Sequence, residues 1–189
     1  MGKLLENLHV TLLIGLAAAI GLMMGFHANT LTAVVLVTWL HVFFGIVWIG
    51  LLYYFNFVQI PTMPAIPAEL KAGVSKYIAP KALFFFRWGA ALTVLTGVTV
   101  AWLSGYIHEA MSFQPGFRLI GIGMWLALIM AFNVWFIIWP NQKKVLGLVE
   151  ADDAATAKAA RVAMLTSRVN TLLSIPMLYA MSAQQPLGG

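Results

Sequence analysis

The residues able to do chemistry are few, which makes each of them conspicuous. Four histidines occur in the chain. One of them, His41, sits in the run Thr38-Trp39-Leu40-His41-Val42-Phe43-Phe44-Gly45-Ile46-Val47-Trp48, among apolar side chains. On a helix, Gly45 falls one turn along the same face and Trp48 about one turn further, so the imidazole would stand beside a notch walled by an indole. Such a notch suits a planar macrocycle. An unpaired imidazole in hydrocarbon leaves a polar group unsatisfied, so His41 needs a role. Four roles fit its surroundings: a hydrogen bond inside a helix seam, ligation of haem iron, copper binding, and a proton relay.

The other costly groups are Arg87 and Arg168, each a little inside the end of an apolar run. A long guanidinium side chain there can snorkel to the interface. It can also turn inward with Asn56, Gln59, Asn133 and Asn170 and bind an anion, such as a haem propionate or an acidic substrate. Asn133 stands between Phe132 and Trp135 with no polar neighbour, a poor residue to present to lipid. The ten methionines form no Met-x-x-Met cluster, although Met23 and Met24 lie near His27.

The elements that must position these residues follow from composition. Of 189 residues, 61% are hydrophobic and 9% charged, against about 45–50% and about 25% in ordinary soluble domains. With mean hydropathy at +0.89 there is too little polar surface for a water-soluble globule, and the expected fold is an all-α integral membrane bundle. Five spans are predicted, at about 8–26, 31–58, 82–106, 117–139 and 164–181, with prolines Pro61 and Pro140 ending the second and fourth. The exit of the first run, Phe26-His27-Ala28-Asn29, lacks the small residue at −3 that signal cleavage prefers, so that run is expected to persist as a helix. A solvated surface helix is predicted at about 142–161. Small residues at four-residue spacing, Ala17/Gly21/Gly25, Gly89/Thr93/Gly97 and Gly123/Ala127/Ala131, mark three expected helix seams.

Lys3, Lys71, Lys76, Lys81, Arg87, Lys143, Lys144, Lys158, Arg161 and Arg168 fall on one side of these spans and Arg118 alone on the other. The positive-inside rule then puts the amino terminus in the cytoplasm and the carboxy terminus outside. The basic residues form no run with interleaved aromatics, so no nucleic-acid partner is expected for the net charge of +5. On this layout His41 is about 17 Å deep, whereas His9 and His27 lie at opposite edges. Cysteine is absent, which excludes covalent c-type haem and thiolate metal sites.

Three segments carry a resemblance. The run from Leu40 to Gly50, then Arg87-Trp88-Gly89-Ala90, then Asn133-Val134-Trp135-Phe136-Ile137-Ile138-Trp139-Pro140-Asn141-Gln142-Lys143-Lys144 with Ser167-Arg168-Val169-Asn170-Thr171-Leu172-Leu173-Ser174-Ile175-Pro176-Met177, resemble the membrane domain of the bacterial urate hydroxylases, the urate oxidase amino-terminal family. The histidine helix and the one after it also show a weaker likeness to the membrane protoporphyrinogen oxidase family, which is haem-associated. Both resemblances imply redox chemistry around a membrane histidine in the bacterial cytoplasmic membrane. The urate hydroxylases carry a carboxy-terminal cytochrome c domain that this cysteine-free sequence lacks, so electrons are expected to leave through a separate carrier, a cytochrome c or a respiratory complex, or within a homo-oligomer.

The expectation is therefore a multi-pass protein holding b-type haem non-covalently, in which His41, Gly45, Trp48, Arg87, Asn133, Arg168 and Asn170 line the cofactor and His41 is the axial iron ligand. The sixth ligand would come from Met124, Met130 or Met177, from another subunit, or be left open; His27 with His108 forms a second candidate metal site. A urate-type oxidase binding an anionic purine, and a cofactor-free accessory subunit of a larger respiratory or oxidase complex, are the rival expectations.

Overall fold

The structure is a computed structural model and describes residues 2–28 and 32–187. Among the described residues all regular structure is helical: α1 (Gly2–Leu5), α2 (Leu8–His27), α3 (Ala33–Ala65), α4 (Ala68–Leu103), α5 (Ile107–Met111), α6 (Arg118–Val145) and α7 (Asp153–Leu187). The chain divides into two compact units, Met1–Leu36 and Val37–Gly189. In the first, Asn7 caps α2 by accepting from the backbone N–H groups of His9 (3.0 Å) and Val10 (3.3 Å). A Cβ added at Gly21 or Gly25 there would meet nothing within 4 Å. The connection expected between the first two spans falls partly outside the described residues.

Among the described residues four helices, α2, α3, α4 and α6, are long and apolar enough to cross a membrane. The boundaries differ from the expected ones in an instructive way. Pro61 and Pro140 do not end their helices, and the expected loop through Lys71 and Lys76 is helical from Ala68. A proline lacks an N–H and its ring clashes with the carbonyl four residues back. Just before Pro61, Pro80 and Pro140 the backbone widens to π-helical spacing, over Tyr54–Gln59, Val74–Ile78 and Asn133–Ile138. The amides of Ile60, Ala79 and Trp139 reach carbonyls five residues back, on Phe55, Val74 and Val134. The widened turn makes room for the ring, and the helix continues. After Pro140, Asn141 Nδ2 donates to the Ile137 carbonyl (2.8 Å).

The separate surface helix expected at 142–161 is not formed. Gly147 (φ +69°) ends α6 in the left-handed conformation, with Leu148 N–H donating to Lys143 O (2.8 Å) and Gly147 N–H to Lys144 O (3.1 Å). Asp152 then caps a single long α7, its Oδ1 accepting from Ala155 N–H (2.7 Å). The stretch expected as a fifth span lies inside α7 but is not among the four helices apolar enough to cross, because it carries Ser167, Arg168, Asn170 and Ser174.

Its polarity is directed inward. α7 buries Ala159, Ala163, Ser167, Asn170, Ser174, Met177 and Ala180, and exposes Leu165, Val169, Leu172, Ile175 and Leu178. The buried stripe packs along α6, and the second unit's core is completed by Trp48, Leu52, Phe55, Phe86, Ala90, Met130 and Val134. Two expected seams close here: a Cβ on Gly89 would stand 3.3 Å from Trp48 N, and one on Gly123 would stand 3.1 Å from Ala180 Cβ. Beyond α4, Tyr106 stacks on Phe117 (5.8 Å), and burial raises its phenol pKa above the usual value.

The tightest backbone approach is at Gly121, where an added Cβ would collide with the Ala110 carbonyl of α5. Because backbone has to move, Gly121→Ala is expected to lower stability by about 1–3 kcal/mol. Gly50→Ala, where nothing lies within 4 Å, should cause no loss; thermal unfolding of both variants in detergent makes the comparison.

Candidate functional site

His41 lies where α3 meets α4. Its Nδ1 is 2.9 Å from the Thr93 carbonyl and 3.3 Å from Thr96 Oγ1. The proton on Nδ1 follows from its neighbours. A carbonyl can only accept, and Thr96 Oγ1 already directs its hydrogen to Leu92 O (2.7 Å). Nδ1 therefore donates, and Nε2 carries the free lone pair, with no hydrogen-bond partner among the described residues. Under the ring lies Gly97, where a Cβ would come 2.8 Å from His41 Cε1, so a larger residue would push the imidazole away from α4. A backbone carbonyl that fixes one ring nitrogen and leaves the other free is the usual outer support of a metal-ligating histidine.

The surroundings of His41 differ from the expected notch. A Cβ on Gly45 would stand an ordinary 3.9 Å from Thr93 Cγ2, so glycine is not required there. Trp48 is not a wall of an opening; it is fully buried beneath Gly89, with its Nε1 unpartnered. The opening lies on the neighbouring face, a groove of about 380 Å³ between α3 and α4 walled by Phe44, Val47, Phe84, Trp88, Gly89 and Leu92. It begins two residues beyond His41, at Phe43, and is lined by apolar side chains and glycine alone.

Arg87 is on α4, six residues before Thr93, which places it about 9 Å along the helix axis and roughly a third of a turn round from the histidine contact. The structure does not bring the two together. Its guanidinium carbon lies 3.3 Å from the centroid of the Trp139 ring and 6.0 Å from that of Trp135. Trp135 Nε1 donates to the Arg87 carbonyl (3.2 Å). A guanidinium held over an indole is favourable in itself, and here Arg87 Nε is buried without an acceptor.

The asparagines expected beside the arginines are used in joining helices. Asn133 Nδ2 donates to Asn170 Oδ1 (2.8 Å), and Asn170 Nδ2 donates to the Met130 carbonyl (2.9 Å). Asn56 Nδ2 donates to Ser167 Oγ (2.8 Å) and to Leu52 O (2.9 Å). The Oδ1 of Asn56 and the Oε1 of Gln59 are buried and unpartnered. Arg168 is exposed. Met130 and Met177 are packed in the core, while Met124 is half-buried. His27 ends α2 in the first unit and His108 is exposed on α5 in the second. Among the described residues no group of three or more histidine or acidic side chains could hold a metal ion.

Thr93, Thr96 and Gly97 are the contacts of His41 that no residue-type argument singled out as site residues. Their signal is the small, hydroxyl-rich run from Thr93 to Gly97, where Thr93 and Gly97 had registered only as a packing seam.

The described residues are all-helical in their regular structure, with four helices long and apolar enough to cross a membrane and a preoriented imidazole between two of them. Residues 106–186 match the family model described as Urate oxidase N-terminal. The match covers α5, α6 and almost all of α7, including Asn133, Trp139 and Asn170, and stops short of His41 and Arg87. No curated protein and no solved structure gives a match.

Asn170 is fully buried and joins α7 to α6 through both amide atoms. Asn170→Ala would leave the buried Asn133 side-chain amide without its acceptor, and is expected to destabilise the protein by about 1–3 kcal/mol. Arg168→Ala, two residues away and exposed, should change stability far less; denaturant unfolding in detergent separates the two.

Proposed function

We propose that this chain is a multi-pass redox protein of the bacterial cytoplasmic membrane that resembles the membrane part of urate hydroxylase and binds b-type haem non-covalently through His41. The observation that carries the reading is the free Nε2 of an imidazole whose Nδ1 is held by Thr93 O. His41 would hold the iron, and the apolar groove beside it would give the ring a hydrocarbon surround. Bound haem supplies one-electron exchange. The protein's part is to fix the imidazole plane through Thr93 and Gly97. Electrons would pass to a carrier such as a cytochrome c or a respiratory complex, or between copies of the chain.

In this reading α7 is a fifth span, with the amino terminus cytoplasmic and the carboxy terminus outside. Two features support it. The helix exposes large apolar side chains and buries its amides and hydroxyls, an arrangement suited to lipid. The lysines and arginines also divide by side, as the positive-inside rule requires.

Arg87 favours a second reading, an oxidase proper acting on an anionic purine. Its cation lies on Trp139 with Nε unpartnered, and no carboxylate among the described residues pairs with it. An aromatic shelf with a guanidinium suits a flat anion better than a round one.

A reduced-minus-oxidised absorbance spectrum with a pyridine haemochrome assay tests the first reading. The detergent-purified protein should give a b-type spectrum that His41→Ala weakens or abolishes, whereas Arg87→Ala should keep the spectrum and lose urate-dependent reduction of the haem. A colourless, folded wild type that copurifies with a larger complex would overturn the haem reading in favour of the accessory subunit.

A further inference from the structure

At the lysine-bearing end of α4 and α6 the structure holds a second opening, of about 470 Å³, unrelated to His41. Its walls come from the first turns of α4 (Ala72, Ser75, Lys76, Pro80) and from the residues that end α6, including Leu146 and Leu148. Most of this lining is apolar, and Lys76 is its one charged member. Lys143 and Lys144 occupy the last turn of α6 immediately before it, and their carbonyls accept the amides that fold the loop back. Leu148 of the lining is exposed, as are Tyr77 and Ile78, which follow Lys76 in the chain.

No ion pair neutralises this charge. Among the described residues no carboxylate oxygen lies within 4.0 Å of a lysine or arginine nitrogen. The nearest acidic residues in sequence, Glu69 before the first wall and Glu150, Asp152 and Asp153 after the second, make none with Lys76, Lys143 or Lys144. An apolar cleft with an uncompensated ammonium at its mouth matches a molecule with one negative headgroup and a hydrocarbon body. The exposed Tyr77 is a typical anchor at headgroup level.

We propose that this cleft is a specific seat for an anionic phospholipid. Lys76 receives the headgroup phosphate, Lys143 and Lys144 supply the surrounding positive potential, and the apolar walls take the glycerol and upper acyl chains. The proposal rests on the membrane-crossing reading of α4 and α6 and is independent of haem.

Native mass spectrometry of the full chain in detergent, titrated with phosphatidylglycerol or phosphatidylcholine, tests it. Discrete one-to-one binding of phosphatidylglycerol is expected, with phosphatidylcholine much weaker. Lys76→Gln should weaken binding about fivefold, the effect of one lysine beside an anionic headgroup. Ala72→Phe should weaken it as well, by filling the cleft without changing charge. Lys158→Gln, which lies outside the lining, should have little effect.

Equal binding of the two lipids would overturn the proposal. So would equal losses for Lys76→Gln and Lys158→Gln with none for Ala72→Phe, which would reduce the effect to the general charge of this face. Displacement of phosphatidylglycerol by millimolar inorganic phosphate would overturn it too, because the cleft would then read phosphate alone. Failure of the membrane reading would show itself differently, as a protein that stays monomeric and soluble once detergent is removed.

Discussion

The pairing of Asn170 with Asn133 and with the Met130 carbonyl is the contact on which the second unit depends. A primary amide buried without partners costs more than its hydrogen bonds return, so the helix carrying it must meet a surface that offers a donor and an acceptor at the right height. α6 offers both within one turn, at 2.8 and 2.9 Å. Once that register is set, Ser167 meets Asn56 and Ser174 meets Tyr53, whose hydroxyl donates at 3.0 Å because Ser174 gives its own hydrogen to Thr171 O. The apolar side chains have no comparable power to choose among registers. In a lipid surround they gain little by facing inward, and the exposed leucines and valines of α7 show the stripe that remains when polar contacts decide the packing.

The prolines act on the same framework. Each widened turn before Pro61 and Pro140 rotates the residues that follow, relative to a regular helix. Asn56 and Asn133 lie within two of these turns, and each meets α7. Trp139, at the end of the second, is thereby presented to Arg87. Backbone irregularity and polar contact thus occur at the same places, and the helices continue past their prolines as rigid supports.

Much of this was legible in the residues and some was not. The apolar runs located α2, α3, α4 and α6 because long spans of hydrocarbon leave a composition signal that needs no partner. Helix ends were misplaced at Pro61 and Pro140 because a proline reads as a stop unless the turn before it widens, and nothing local announces that. His41 was recognisable by its isolation, whereas its partner is a backbone carbonyl, which no residue type encodes. Asn133 and Asn170 stood out as misplaced polar residues; that they satisfy each other depends on two helices meeting at one height. Arg87 and Arg168 looked alike in sequence and separate in the fold, one lying on an indole and the other exposed.

The contact between His41 and Thr93 joins residues 52 positions apart, and this bears on how the chain enters a bilayer. An imidazole crossing alone on α3 would carry two unmet nitrogens into hydrocarbon. Lying against α4 it carries one, and Gly97 allows the ring to settle there without displacing backbone. The α3–α4 hairpin is thus the shortest piece of the chain in which this histidine is half satisfied. In a membrane, delivery of the two helices as a pair would spare the ring its full desolvation, and a synthesis order in which α4 follows directly on α3 would make that pairing available at the moment of entry.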